Sequence, residues 1–238
     1  VLIVNKSYLM EHGTGTLGDL RRNGNVVAVD PVDLKLAPGT RIDADLLIAS
    51  SRMQDAFFRE HFADLTTFYV PHHADLRIPP PGEPPARFGL GYFGALYNAP
   101  FREELATAGL CDFHKADDPA ETGWMASLPH YACHYAARSW QPFDGFKPFT
   151  KGIIAARCGA VVMVDRNPEA EAALGPDYPF YIDDTSLAGI RTGVECARSG
   201  FGSPLWETAR AAMARLAASV SEEAVAASVL NLSRHVGR

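Results

Sequence analysis

The sequence predicts an α/β protein built on two parallel sheets, and three observations predict it. Short apolar runs rich in β-branched residues alternate with stretches at helical spacing. A proline-rich segment divides that alternation into two series. The last part of the chain, from about Pro204, is Ala-rich and helical. Such alternation implies βαβ units, a parallel sheet in each half, and helices on both sheet faces.

The first series has four expected strands, at residues 1–4, 25–29, 45–49 and 67–70. The second has strands at 87–93, 132–136, 160–164 and 180–182. Between them, 51–62 places Met53, Phe57, Phe58 and Phe62 near helical spacing, and 101–108 and 150–157 are similar. The run Ile78-Pro79-Pro80-Pro81-Gly82-Glu83-Pro84-Pro85 breaks the pattern, since proline removes backbone donors and fixes φ. The expected organisation is therefore a first domain at 1–77, a linker at 78–86, a second domain at 87–203 and C-terminal helices at 204–238. Ser221-Glu222-Glu223 marks a helix start inside that last part.

Composition narrows the function. Apolar residues make up 47% of 238, enough for a packed core. Lys plus Arg is 22 against 28 Asp plus Glu, a net charge of −6, which argues against nucleic acid as a partner. Cys111, Cys133, Cys158 and Cys196 form no C-x-x-C pair, so neither a paired zinc site nor a disulfide framework is expected. Scattered thiols and the lack of a long apolar run predict a cytoplasmic protein. The apolar start is too short for a signal peptide, and beginning at Val1 leaves room for residues upstream. Peripheral contact with the inner membrane face stays open, because basic residues can cluster in space without clustering in sequence.

Ligands of open parallel sheets bind beyond the carboxyl ends of the strands, so the turns there hold the candidates. Gly89-Leu90-Gly91-Tyr92-Phe93-Gly94 matches a dinucleotide fingerprint only in part: two glycines fall inside the strand, and Gly94 alone reaches the turn. Gly94 is expected to let backbone approach a ligand. Lys147-Pro148-Phe149-Thr150-Lys151 opens a helix, where free N–H groups, the Thr150 hydroxyl and two lysines suit a diphosphate. Arg138 follows a strand shortly before and can grip phosphate through paired hydrogen bonds. In the first half, Lys6 follows the first strand, and His12 is expected in a Gly/Thr-rich loop as a general base. Asp30 and Asp33 follow the second strand and suit a sugar hydroxyl, although capping explains such residues as often. His72 and His73 follow the fourth, but adjacent histidines rarely face one ion, and no metal is expected.

Several of these segments together resemble the donor half of GT-B glycosyltransferases. They are Leu128-Pro129, His134-Tyr135-Ala136-Ala137-Arg138, Lys147 to Lys151, Ala155 to Val162, Glu169, and Gly175 to Asp184. Residues 87–94 resemble the strand and glycine turn that open that half, and 44–51 with 69–75 resemble the end of an acceptor domain. The resemblance implies two Rossmann-like domains with the first one shortened. It implies sugar transfer from a nucleotide diphosphate sugar to a hydroxyl of a glycan or lipid-linked acceptor, as in polysaccharide biosynthesis, with no cofactor beyond that co-substrate. Gly94, Arg138, Lys147, Thr150 and Lys151 would hold the donor, and Lys6, Asp30 and Asp33 the acceptor or sugar. The chain departs from the family twice. Residues 152–154 hold no acid where many members carry a ribose-binding glutamate, and Ala95-Leu96-Tyr97-Asn98 stands where many carry an Arg and a Lys. A degenerate, non-catalytic binder of a sugar or protein partner is the alternative, and a nucleotide-sugar epimerase the second.

Overall fold

The computed structural model describes residues 1–118, 120, 122–138 and 144–236. The chain divides into two compact units. Each has its own parallel sheet.

In the first unit the sheet order is β1 (Leu2–Asn5), β2 (Val27–Asp30), β3 (Leu46–Ala49), β4 (Thr66–Tyr69), every neighbouring pair parallel. The central strands β2 and β3 are almost wholly apolar and buried, as strands covered on both faces must be. One face packs on Leu9, Leu17, Phe58 and Phe62. The other, formed by Ala28, Leu46 and Ile48, is covered by Leu232 from the last helix. Helix α1 (Lys6–His12) follows β1 directly: the Asn5 side chain caps it by accepting from Tyr8 N, and Gly13, at φ 69, ends it. Helix α2 spans Leu17–Arg22. Helix α3 (Arg52–His61) is capped by Ser51 and carries Phe58 into the core.

In the second unit the order is β6 (Asp112–Lys115), β5 (Leu90–Gly94), β7 (Cys133–Tyr135), β8 (Val161–Asp165), β9 (Tyr181–Ile182), again all parallel. The chain leaves β5 toward one edge and returns on its other side at β7, so strand order reverses between them. That reversal is where open sheets take ligands. Helix α4 spans Arg102–Thr107, α5 Thr150–Arg157, α6 Pro168–Leu174, α7 Leu187–Gly200 and α8 Pro204–Ser219. Trp206 of α8 packs against Phe88, Phe180 and Phe201.

Three expectations change. The C-terminal helices at 204–238 do not form one body: α8 belongs to the second unit, and α9 (Glu222–Val236) to the first. The boundary falls after His73 rather than at residue 77. The segment read as a linker at 78–86 begins docked on the second unit. Ile78 is fully buried, its carbonyl accepts from Arg157 Nε at 3.3 Å, and Pro81 lies against Gly159. Gly159, at φ 74, leaves that close space because it has no Cβ.

The glycines of residues 89–94 also find a different role. A Cβ at Gly91 would stand 2.7 Å from the Tyr131 ring, and one at Gly89 3.4 Å from it. The two form a floor for that ring. Only Gly94 reaches the carboxyl end of the strand.

Candidate functional site

Gly94 ends β5, Arg138 lies three residues past β7, Asp165 ends β8, and Lys151 sits in the first turn of α5. All four belong to the second unit, at the carboxyl edge where strand order reverses. The backbone N–H of Arg138 donates to Asp165 Oδ1 at 3.2 Å. Asn167 Nδ2 donates to the Asp165 carbonyl at 2.8 Å. The Asp165 carboxylate is therefore buried but bonded, and it fixes the turn that carries Arg138.

Lys151 is the unusual group. Its Nζ is buried, has no hydrogen-bond partner among the described residues, and lies 3.9 Å from the centre of the Tyr92 ring. Burial depresses its pKa first, and the nearby Arg138 charge depresses it further; Asp165 opposes both, and the result is about 7. Tyr92, under the amine, donates its hydroxyl to the Ala95 carbonyl at 2.7 Å, and burial pushes its own pKa up to about 12. Gly94 makes room for this pair. At φ 153 it holds a backbone that favours glycine, and a Cβ there would meet the Tyr92 hydroxyl at 3.2 Å and Lys151 Cε at 3.4 Å. Arg138 and Lys151 thus lie in the same unit as the glycine end of β5.

The remaining donor candidates divide. Thr150 is the first residue of α5 and half-buried, with Phe149 as the N-cap. Lys147 belongs to the first unit. The expected cluster of three cations therefore reduces, within the second unit, to Arg138 and Lys151. Tyr97, in the short 3-10 turn Leu96–Asn98 after Gly94, is 83% exposed.

In the first unit, Lys6 Nζ meets Asp33 Oδ1 at 2.5 Å. Asp30 Oδ1 accepts from Val32 N at 3.2 Å, and burial raises the Asp30 pKa. Val32 holds φ 53, a conformation that costs a β-branched residue about 1–3 kcal/mol. The surroundings enforce it: the Val32 carbonyl accepts from Gln54 Nε2 at 2.6 Å and Ser50 Oγ at 3.1 Å. Burial and the neighbouring His73 lower the His72 pKa, against the pull of Asp33. His12 is not in a loop. It ends α1, stacks on Tyr8 at 4.5 Å and lies 3.6 Å from Glu11. Asn5 and Gly13 bracket a seven-residue helix there, so the Gly/Thr-rich stretch begins only after His12. His72 and His73 stack on each other at 6.1 Å. Among the described residues no group of three or more His, Cys, Asp or Glu could hold a metal ion. No helix among them is long and apolar enough to cross a membrane.

Sequence reasoning missed Asp165 and Tyr92. Asp165 closes the clearest apolar run in the chain, and an acid at the end of a buried strand was the available signal.

No family model and no curated protein matches the chain. Solved structures do. The GtfA/B complex aligns with a TM-score of 0.63 at 12% identity, over 95% of this chain and 56% of that one. The fold is GT-B. A glycosyltransferase from Rickettsia africae ESF-5 aligns equally well, 0.63 at 7% identity, over 89% of this chain and 71% of that one. Anabaena Alr3699/HepE, a structure in complex with UDP, gives 0.63 at 10% identity over 99% and 78%. This chain thus spans little more than half of the first GT-B protein it matches. Its two Rossmann-like units carry four and five strands among the described residues.

Proposed function

We propose that this chain is a glycosyltransferase whose second unit holds the diphosphate of a nucleotide-sugar donor and which passes the sugar to a hydroxyl acceptor, a glycan or glycolipid. One observation carries the reading: a buried lysine amine without a hydrogen-bond partner stands beside Arg138 where the strand order reverses. A cation in that state lacks an anion. The GT-B fold supports a nucleotide as the source of that anion, and HepE is a relative in fold that holds UDP. When the bond from the sugar to the diphosphate breaks, charge develops on the leaving oxygen, and fixed cations stabilise that charge more than they stabilise the substrate. Arg138 and Lys151 supply this role without a cofactor.

On the first unit, His72 suits the acceptor better than His12. Burial and the neighbouring His73 lower its pKa, against the raising pull of Asp33, and so favour the neutral imidazole that can accept a proton. His72→Ala is expected to lower kcat about a hundredfold with donor affinity unchanged, whereas His12→Ala stays near the parent. Equal rates for parent and His72→Ala would remove this base.

The direct test is binding and turnover. UDP, GDP, ADP or dTDP should raise the melting temperature, and the matching sugar donor should be consumed. Lys151→Ala should lower donor kcat/KM by about a hundredfold, as loss of one charge-stabilising donor does elsewhere. An unchanged kcat/KM removes Lys151 from the mechanism. The sequence Gly152-Ile153-Ile154 favours a second reading, a non-catalytic nucleotide or sugar binder, because no acid is there for a ribose. Nucleotide binding without turnover of any donor would decide for it.

A further inference from the structure

Lys151 supports an inference that rests on the reading above and deepens it. Its Nζ is shut away from solvent on the face of Tyr92, so an anion cannot reach it until the side chain turns. Groups face it from every side. Tyr92 comes from β5, Cys111 from the residue before β6, Arg138 from the turn after β7 and Asp165 from the end of β8. Tyr97 and Asp117 act in turn on Tyr92. Burial pushes both the Tyr92 and Cys111 pKa values up and keeps those groups neutral, so the charges acting on Lys151 are Arg138 and Asp165. Without a ligand, a second cation beside Arg138 is disfavoured. A bound diphosphate reverses the sign of that interaction, since each cation then faces two or more negative charges.

We propose that Lys151 is stored uncharged against Tyr92 and takes up one proton as it turns to a nucleoside diphosphate, so that anion capture at this site consumes a proton. One N–H bond forms on Nζ, the proton leaves a buffer acid, and no other bond changes. Arg138 makes the first contact. The competent fraction is the protonated one. With a pKa of about 7 it falls from a half at pH 7 to about a hundredth at pH 9, so UDP affinity should fall about fiftyfold over that range.

Calorimetry of UDP binding to the full chain at pH 8 tests this, because the UDP phosphates are then fully ionised. Run in Tris and in HEPES, which differ in ionisation enthalpy, it reads the protons taken up. The expected result is close to one proton for the parent and close to none for Lys151→Met, with weaker binding in the variant. If Lys151→Met fails to fold, the parent alone decides: uptake must rise to near one at pH 8 from zero or below at pH 6, where the UDP phosphate itself gives up protons on binding. UDP binding with no proton uptake at any of these pH values overturns the inference and leaves the donor site standing. No binding of UDP, GDP, ADP or dTDP overturns both.

Discussion

At the scale of single residues, Lys151 decides the most. Folding places an amine of about pKa 7 where the unfolded chain has one near 10.5. Between those values the unfolded chain binds a proton that the folded chain does not, so stability rises with pH across that window. The slope from this one group is at most about 1.4 kcal/mol per pH unit, and it vanishes below pH 7, where both states carry the proton. Lys151→Met should flatten the difference between urea unfolding at pH 7 and at pH 9. An identical pH difference in parent and variant would show the amine to be solvated. The cations of this site were legible in sequence because they follow strands and open a helix. Asp165 showed only as an acid closing an apolar run; its bond to Arg138 spans 27 residues and exists only once β7 and β8 are in register. Closeness in sequence did not reveal that Lys147 and Lys151 belong to different units.

At the scale of elements, apolar strands and capped helices were readable and polar edges were not. The helices expected at 51–62, 101–108 and 150–157 lie within a residue of α3, α4 and α5 at each end. The apolar runs at 25–29, 45–49, 87–93 and 160–164 became β2, β3, β5 and β8 within three residues at each end. β6 reads Asp-Phe-His-Lys and lies at a sheet edge, where one side needs no apolar cover, so it gave no run to detect. Helix α1 was hidden because it follows β1 with no turn between them. The glycines of β5 show how a motif can carry packing instead of chemistry. Gly91→Ala would push a methyl group into the Tyr131 ring, whose hydroxyl lies 2.8 Å from His114 Nε2 and donates to Asp112 Oδ2 at 3.0 Å. The expected cost is about 1–3 kcal/mol in denaturant unfolding, as for other overpacked sites. A parent-like midpoint would mean that Tyr131 can move aside freely.

At the scale of the whole molecule, two units with separate sheets and separate cores should not melt as one. The first unit is closed by α9, whose Leu232 covers Ala28, Leu46 and Ile48, while the second closes on α8 through Trp206. A ligand that binds the native second unit stabilises it by RT ln(1 + [L]/Kd), about 2.7 kcal/mol at a hundredfold excess over Kd. Because Arg138, Lys151, Asp165 and Gly94 all lie in that unit, a nucleoside diphosphate should move its transition alone. Leu232→Ala acts on the other: removing a buried leucine costs about 2–5 kcal/mol, and the loss should fall on the first unit. Differential scanning calorimetry of the parent and of Leu232→Ala, each with and without UDP, separates the two effects. Two transitions are expected, the lower-shifted one in Leu232→Ala being the one that UDP leaves in place. If UDP and Leu232→Ala move the same single transition, the units fold as one cooperative body. The anion site would then draw its stability from both sheets rather than from the second alone.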